Sequence, residues 1–347
     1  MAEEPTARPA LGRQGSYKPP PGKLSPACFD VAADLKFKTD CLWVVAVDGS
    51  QLGQRAVKLA AWLMNPKETS LSADAQDNVV VVHCVKPGTP ETQYMNLFAD
   101  CKTDLLKCGI HIKRISCKAI ELPPDWSVSD ALIYYANHVG LGQNAVCQHA
   151  RLVLGAAGES TVKNKTQYSR LGSIAQECLA KVKVPVTIVK EPWVHQQGPL
   201  GRLQRVGRDD EPGITIMCCV DGTPTSDLAF DVAVSMCRAG DTLLALRVVN
   251  EAERGAEDAK IANNYKGECA KVAFSKGLAS CDYRAIIDAK GSLTAAILDA
   301  TVDADLVVMG TVELANVKKR HNLGSVCMGI AQNLGGSNLC IVKRYAQ

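Results

Sequence analysis

Apolar residues fall along the chain in blocks of two kinds. Leu42-Trp43-Val44-Val45-Ala46-Val47 is continuously apolar, the pattern of a parallel strand covered on both faces. After a break at Asp48-Gly49-Ser50, Ala56, Val57, Leu59, Ala60, Leu63 and Met64 recur at helical spacing. The alternation continues with a strand over Asn78 to Val85, a helix from about Glu91 to Lys107 and a strand over Ile110 to Ile120. A helix from about Val128 to Ala145, a strand at Leu152-Val153-Leu154, a helix opening at Gly172-Ser173 and a last strand at Val186 to Val189 complete the set. Strands alternating with helices predict an α/β fold with a doubly wound parallel sheet.

Residues 191–213 interrupt this with Pro, Gly and charge, and the scheme then restarts. Ile214 to Val220 reads as a strand closed by Asp221-Gly222-Thr223, which repeats Asp48-Gly49-Ser50. Leu323-Gly324-Ser325-Val326 repeats Leu171-Gly172-Ser173-Ile174, and Leu339 to Lys343 repeats Thr187 to Lys190. Three landmarks in the same order point to an internal duplication. The expected organisation is an extended arm over 1–38, a first domain over 39–190, a linker over 191–213 and a second domain over 214–347. Each domain is expected to order its strands 3-2-1-4-5, as in flavodoxin-like sheets. The last strands are apolar and β-branched, so their outer edges need cover. Joining the halves through those edges gives an internal pseudo-dimer. In the arm, Tyr17 and Pro19-Pro20-Pro21 suit an extended polyproline-like segment that docks in the groove of a protein partner.

Composition narrows the function. A chain of 347 residues with 47% hydrophobic and 22% charged residues fits two soluble globular domains. A formal charge of +3 argues against a broad basic face for nucleic acid. No apolar run approaches the ~18 residues needed to span a bilayer. The first residues carry acids and no apolar leader, so a cytoplasmic location without membrane attachment is expected. The fifteen cysteines are odd in number, and Cys84, Cys218, Cys219 and Cys340 sit inside strand-like runs, as reduced buried thiols do. With no C-x-x-C or H-E-x-x-H spacing, and Cys147-x-His149 as the nearest approach, no metal site is expected.

A ligand of a doubly wound sheet sits beyond the carboxyl ends of its strands, where the strand order reverses. In the first half those ends carry Asp48, then Gly155-Ala156-Ala157-Gly158, then Gly172-Ser173 at a helix start. Glycines let a backbone approach a phosphate, and a helix N-terminus presents unpaired N–H groups to it. Lys163, Lys165 and Arg170 lie in the intervening loop and suit a phosphate tail. Singly, an Asp-Gly turn or a Gly-Ser helix start is an ordinary turn or cap. Their recurrence in register, with Asp221, Gly310, Gly324 and Ser325 in the second half, favours a binding site. No nucleophile stands at a recognisable spacing from a base, and G-x4-G-K-S/T is absent. Gly140 to Ala145 satisfies G-x-G-x-x-A, yet follows a helix instead of a strand.

With these residues the chain resembles the universal stress protein family, whose nucleotide motif is G-x2-G-x9-G-S/T after an Asp at the end of the first strand. The resemblance covers about residues 42 to 190 and 214 to 343. It implies ATP or another adenine nucleotide, with magnesium as a bridging cation. Adenine would lie near Asp48 and the His83-Cys84-Val85 end of the second strand, and the phosphates against Gly155, Gly158, Gly172 and Ser173. Thirteen residues separate Gly158 from Gly172, four more than in the family motif. In the second copy Glu313 replaces a glycine, and Lys318, Lys319 and Arg320 offset part of its charge. The implied role is a nucleotide-binding stress or signalling module without dedicated catalysis, a slow ATPase at most. The alternative is a structural subunit of a cytoskeletal or ciliary assembly with a vestigial pocket.

Overall fold

Within each half apolar strand segments alternate with helices, and all ten strands pair into one sheet in this computed structural model. The described residues are 39–64, 77–141, 147–157, 171–190, 213–249, 255–288, 291–312, 323–335 and 337–344. The arm over 1–38 and the linker up to residue 212 lie outside them. In the first half the strands are β1 (Thr39–Ala46), β2 (Asn78–Val85), β3 (Ile115–Glu121), β4 (Cys147–Gly155) and β5 (Val186–Val189). Those of the second half are β6 (Thr215–Cys219), β7 (Thr242–Val249), β8 (Ser280–Ile287), β9 (Leu306–Val312) and β10 (Asn338–Arg344). The helices of the first half are α1 (Gln51–Leu63), α2 (Met95–Lys107), α3 (Val128–Leu141) and α4 (Ser173–Lys181). The second half has α5 (Pro224–Met236), α6 (Ala256–Lys276), α7 (Leu293–Ala300) and α8 (Ser325–Asn333).

Across the sheet the order is β3-β2-β1-β4-β5-β10-β9-β6-β7-β8. Each half is parallel in the expected order 3-2-1-4-5, and the halves meet where β5 and β10 pair antiparallel. Two apolar layers run unbroken across the join. One packs α3, α4, α7 and α8 on the sheet, and the other packs α1, α2, α5 and α6 on the opposite face. The third strand starts at Ile115, later than its apolar pattern suggests. Gly109, at φ 82°, reverses the chain after α2, and the Ile110 N–H donates to Leu105 O at 3.1 Å, so Ile110 closes the helix end.

The join is self-complementary. Ile188 faces Leu339, Thr187 faces Cys340 and Val186 faces Ile341, so a local two-fold passes through the Thr187–Cys340 pair. All four residues of β5 are buried, which removes the apolar edge from water. The helix ends beside the join present carbonyls with no partner inside their own helix. Cations from the other half supply the donors. Lys190 Nζ donates to Ala331 O at 2.6 Å and Leu334 O at 2.7 Å, at the end of α8. Lys343, its mate in the duplication, donates to Val182 O at 2.8 Å, at the end of α4. On the other face Arg238 donates to Ala61 O at 2.5 Å and Met64 O at 2.7 Å, at the end of α1.

Burial pushes the Lys190 ammonium down from its ordinary value of 10.5 to about 8, so it stays charged at neutral pH. Replacing Lys190 by Met leaves two carbonyls without donors, at a cost of about 1–3 kcal/mol for each group that stays dry. Between pH 8 and 10.5 the unfolded chain holds a proton on Lys190 that the native one releases, so this group's contribution to stability rises with pH across that window and falls as pH drops through 8. Urea melts of the wild type and Lys190→Met should therefore diverge further between pH 8 and 10.5; a constant gap would show that the ammonium is not destabilised by burial.

Candidate functional site

Because β1 lies between β2 and β4, the chain winds in opposite senses on its two sides and a crevice opens at the carboxyl ends of β1 and β4. A cavity of about 140 Å³ fills this crevice. Its floor comes from Ala46, Val47, Val82, Cys84 and Leu154 to Ala157, and its walls from Val128 and Leu132 of α3 and from Gly172 to Ala175 around the start of α4. Asp48 stands at the rim. The second half repeats the cavity between β6 and β9, at about 210 Å³. There Leu246 and Val248 stand where Val82 and Cys84 do, Leu293 and Ile297 of α7 replace Val128 and Leu132, and Val326 and Cys327 form the α8 wall. Because the halves run antiparallel to each other, duplication has thus produced two cavities at opposite ends of one sheet.

The turn that brings each Asp to its rim depends on a glycine. Gly49 and Gly222 take φ of 85° and 84°, a region that a side chain disfavours. Next to them, Ser50 Oγ accepts from the Gly53 N–H at 3.1 Å and caps α1, and Thr223 Oγ1 accepts from Ser226 N–H at 3.3 Å and caps α5. Asp48 accepts the Ser50 N–H at 3.0 Å. Asp221 accepts both the N–H and the hydroxyl of Thr223, at 2.9 and 2.6 Å. Burial acts to raise the Asp221 carboxyl, but the Thr223 and Ser226 hydrogen bonds and the Arg247 charge outweigh it and hold the group below the usual carboxylate range.

Helix starts differ in a consistent way. Side chains cap α1 and α5, Ser127 Oγ accepts from the Asp130 N–H at 3.1 Å in α3, and Ser292 caps α7. By contrast α4 and α8 begin after Gly172 and Gly324 and have no side-chain cap, a trait shared by α2 and α6, which line neither cavity. The Gly172 N–H donates to Ala156 O at 2.7 Å, which ties the start of α4 to the cavity floor. First-turn amides facing a cavity without a capping side chain make an acceptor for an anionic or strongly polar group.

Among the residues singled out in the sequence, Asp48, Gly155, Gly172 and Ser173 line the first cavity, and Asp221 and Gly310 line the second. Gly324 and Ser325 open α8, while the lining itself is Val326 and Cys327. Val85 ends β2, but the lining comes from Val82 and Cys84, since residues two apart share a face of a strand and Val85 falls on the other. Gly158, the loop cations Lys163, Lys165 and Arg170, and Glu313 with Lys318, Lys319 and Arg320 lie outside the described residues. Sequence reasoning overlooked the α3 and α7 walls, although Val128/Leu132 and Leu293/Ile297 each sit four apart on one helical face.

Two glycines have a packing role as well. A Cβ on Gly155 would lie 2.8 Å from Leu52 Cβ, and one on Gly310 would lie 2.7 Å from Thr225 O. The first turns of α1 and α5 thus cross these strands at backbone contact. Thiols also border the cavities, and burial pushes Cys84 and Cys219 up to about 12 and Cys327 to about 11, so all three stay protonated at neutral pH. Thirteen cysteines among the described residues are free thiols.

The two rims differ most beside β2 and β7. His83 Nδ1 lies 2.8 Å from Val47 O, which can only accept, so the ring carries its proton there. At the matching position Arg247 donates to Asp221 O at 2.8 Å and pairs with Asp258 at the start of α6. Among the described residues, no group of three or more His, Cys, Asp or Glu is placed to hold a metal ion, and no helix is long and apolar enough to cross a membrane.

Residues 215–335 match the sequence model of the Universal stress protein family. No curated protein matches the chain. Among solved structures, a functionally unknown protein from Pseudomonas aeruginosa PAO1 aligns with a TM-score of 0.51 at 14% identity, covering 92% of this chain and 95% of that one. Its likeness is one of fold and extends over both halves. The universal stress protein UspA from Lactobacillus plantarum aligns at 18% identity with a TM-score of 0.30, covering 38% of this chain and 99% of its own.

These contacts separate packing glycines from the helix-start glycine. Gly310→Ala should cost about 1–3 kcal/mol in a urea melt, because Thr225 backbone cannot give way. At Gly172 a Cβ meets Ala156 O at 3.4 Å and Ala157 Cα at 3.6 Å, both ordinary contacts. Gly172→Ala should cost under about 1 kcal/mol, the loss of a favourable N-cap residue; equal losses at the two positions would refute the distinction.

Proposed function

We propose, for a chain whose second half belongs to the universal stress protein family and whose first half repeats that fold, that it is a nucleotide-binding sensor or signalling module. ATP or another adenine nucleotide occupies the first cavity. The observation that carries this reading is the uncapped start of α4, at Gly172-Ser173, opening on an otherwise apolar slot at the reversal of strand order. An apolar floor of Ala46, Val82, Cys84 and Leu154 suits a flat base, and the α4 amides with the Ser173 hydroxyl suit phosphate oxygens. Gly155 and Gly158 belong to the phosphate side, and Asp48 receives a donor of the base or sugar. Magnesium travels with the triphosphate. The second cavity, with Asp221, Gly310, Gly324 and Ser325, binds the same class more weakly, since Glu313 follows in its phosphate loop.

Among the described lining residues no nucleophile is paired with a base, and the proposed output is binding, with slow ATP turnover at most. A second reading, a subunit of a larger assembly with unused cavities, is favoured by Phe274 on α6, which is 94% exposed.

Mass spectrometry of the purified, denatured protein should release an adenine nucleotide. Calorimetry should detect ATP binding that Gly172→Trp abolishes while circular dichroism stays unchanged. A protein that comes off purification empty and gives no heat with millimolar ATP would overturn the proposal and leave the assembly reading standing.

A further inference from the structure

Each half sends one lysine across the join, and each lysine follows directly on the floor of a cavity. Val189 pairs with Gly155, and the Ala156 N–H donates to Val189 O at 2.8 Å, so the floor of the first cavity is bonded to the residue before Lys190. Lys190 then grips the far end of α8 through Ala331 O and Leu334 O. The near end of α8 carries Val326 and Cys327, the wall of the second cavity. The reverse connection has the same parts. Val342 pairs with Gly310 on the second floor, and the next residue, Lys343, holds Val182 O at the far end of α4, whose first turn walls the first cavity.

We infer that the two cavities are coupled through these crossed lysines, with Lys190 a positioning residue for the second cavity and Lys343 for the first. Both helices have nine residues, about 13 Å at 1.5 Å per residue, short enough to move as rods. Holding one end therefore sets the aim of the other. A ligand that fixes the Gly155–Ala156 backbone also fixes Val189 and Lys190, and so quietens α8 before anything enters the second cavity. The second ligand then loses less conformational entropy on binding, which makes the coupling positive, and linkage requires the same factor in both directions. The identity of the ligand rests on the nucleotide reading; the lever itself rests only on the contacts above.

The experiment has one arm for each. In the unliganded protein, hydrogen exchange followed by mass spectrometry should show Lys190→Met speeding exchange in residues 325–335 by about fivefold to tenfold, the effect of one ordinary hydrogen bond, with residues 173–182 little changed. Lys343→Met should give the mirror image, and Lys190→Arg, which keeps charge and donors, should restore most of the protection in 325–335. In the second arm, photolabelling with 8-azido-ATP and peptide mapping reads the two cavities separately. Lys190→Met should raise the half-saturation concentration of the second cavity by about fivefold and abolish its response to filling of the first. Loosening of each lysine's own half, or of both halves alike, would overturn the crossed lever. No labelling of the wild type would instead overturn the nucleotide reading, while the exchange data still decide the lever.

Discussion

A helix that ends inside a protein leaves carbonyls that must find donors, and a sheet that ends leaves a row of unpaired amides. Both problems arise at the same place here, beside β5 and β10, and the solution to one requires the other. Pairing the two strands brings α4 and α8 close to the opposite half, and only then can Lys190 and Lys343 reach their carbonyls. A half on its own would expose an apolar edge and leave both a helix end and a lysine without their partners. The continuous apolar layers on the two faces follow from this join, because they need both halves in register.

The same arrangement decides where binding chemistry can occur. Parallel strands all finish at one end in each half, so both reversals of strand order open crevices lined by strand ends and helix starts. Capping by Ser50, Ser127, Thr223 and Ser292 silences four helix starts, and since α2 and α6 line neither cavity, α4 and α8 are left to address them. Local differences then separate the pair. Gly49 is open, whereas Gly222 has Ile261 of α6 packed against it, and Arg247 bridges the second rim to Asp258 where His83 serves the first.

Much of this was legible in the sequence, for physical reasons. Strands buried on both faces read as unbroken apolar runs, so β1, β2, β6 and the edge partners β5 and β10 stood out, and the duplication followed from Asp48/Asp221 and Gly172/Gly324. Strand starts were less legible: Ile110 is apolar because it closes a helix end, not because it begins β3. The role of Lys190 was invisible, since its acceptors are backbone carbonyls 141 and 144 residues away and any sequence can supply those. The glycines of the strand ends illustrate a subtler limit. A small residue there fits a ligand or a crossing helix equally well, and only the 2.7 to 2.8 Å clashes reveal the helix.

The pseudo-two-fold through Thr187 and Cys340 has one more consequence. In a dimer of identical chains every substitution is made twice, so both pockets must drift together, and dilution can part the subunits. A tandem chain escapes both restrictions. Its halves meet at a fixed effective concentration whatever the abundance of the protein, and a change such as Ser226 where the first copy has Gly53 is written into one pocket alone. Fusion has therefore turned an obligatory symmetry into an optional one, leaving two pockets free to acquire different ligands while a single join keeps them folded.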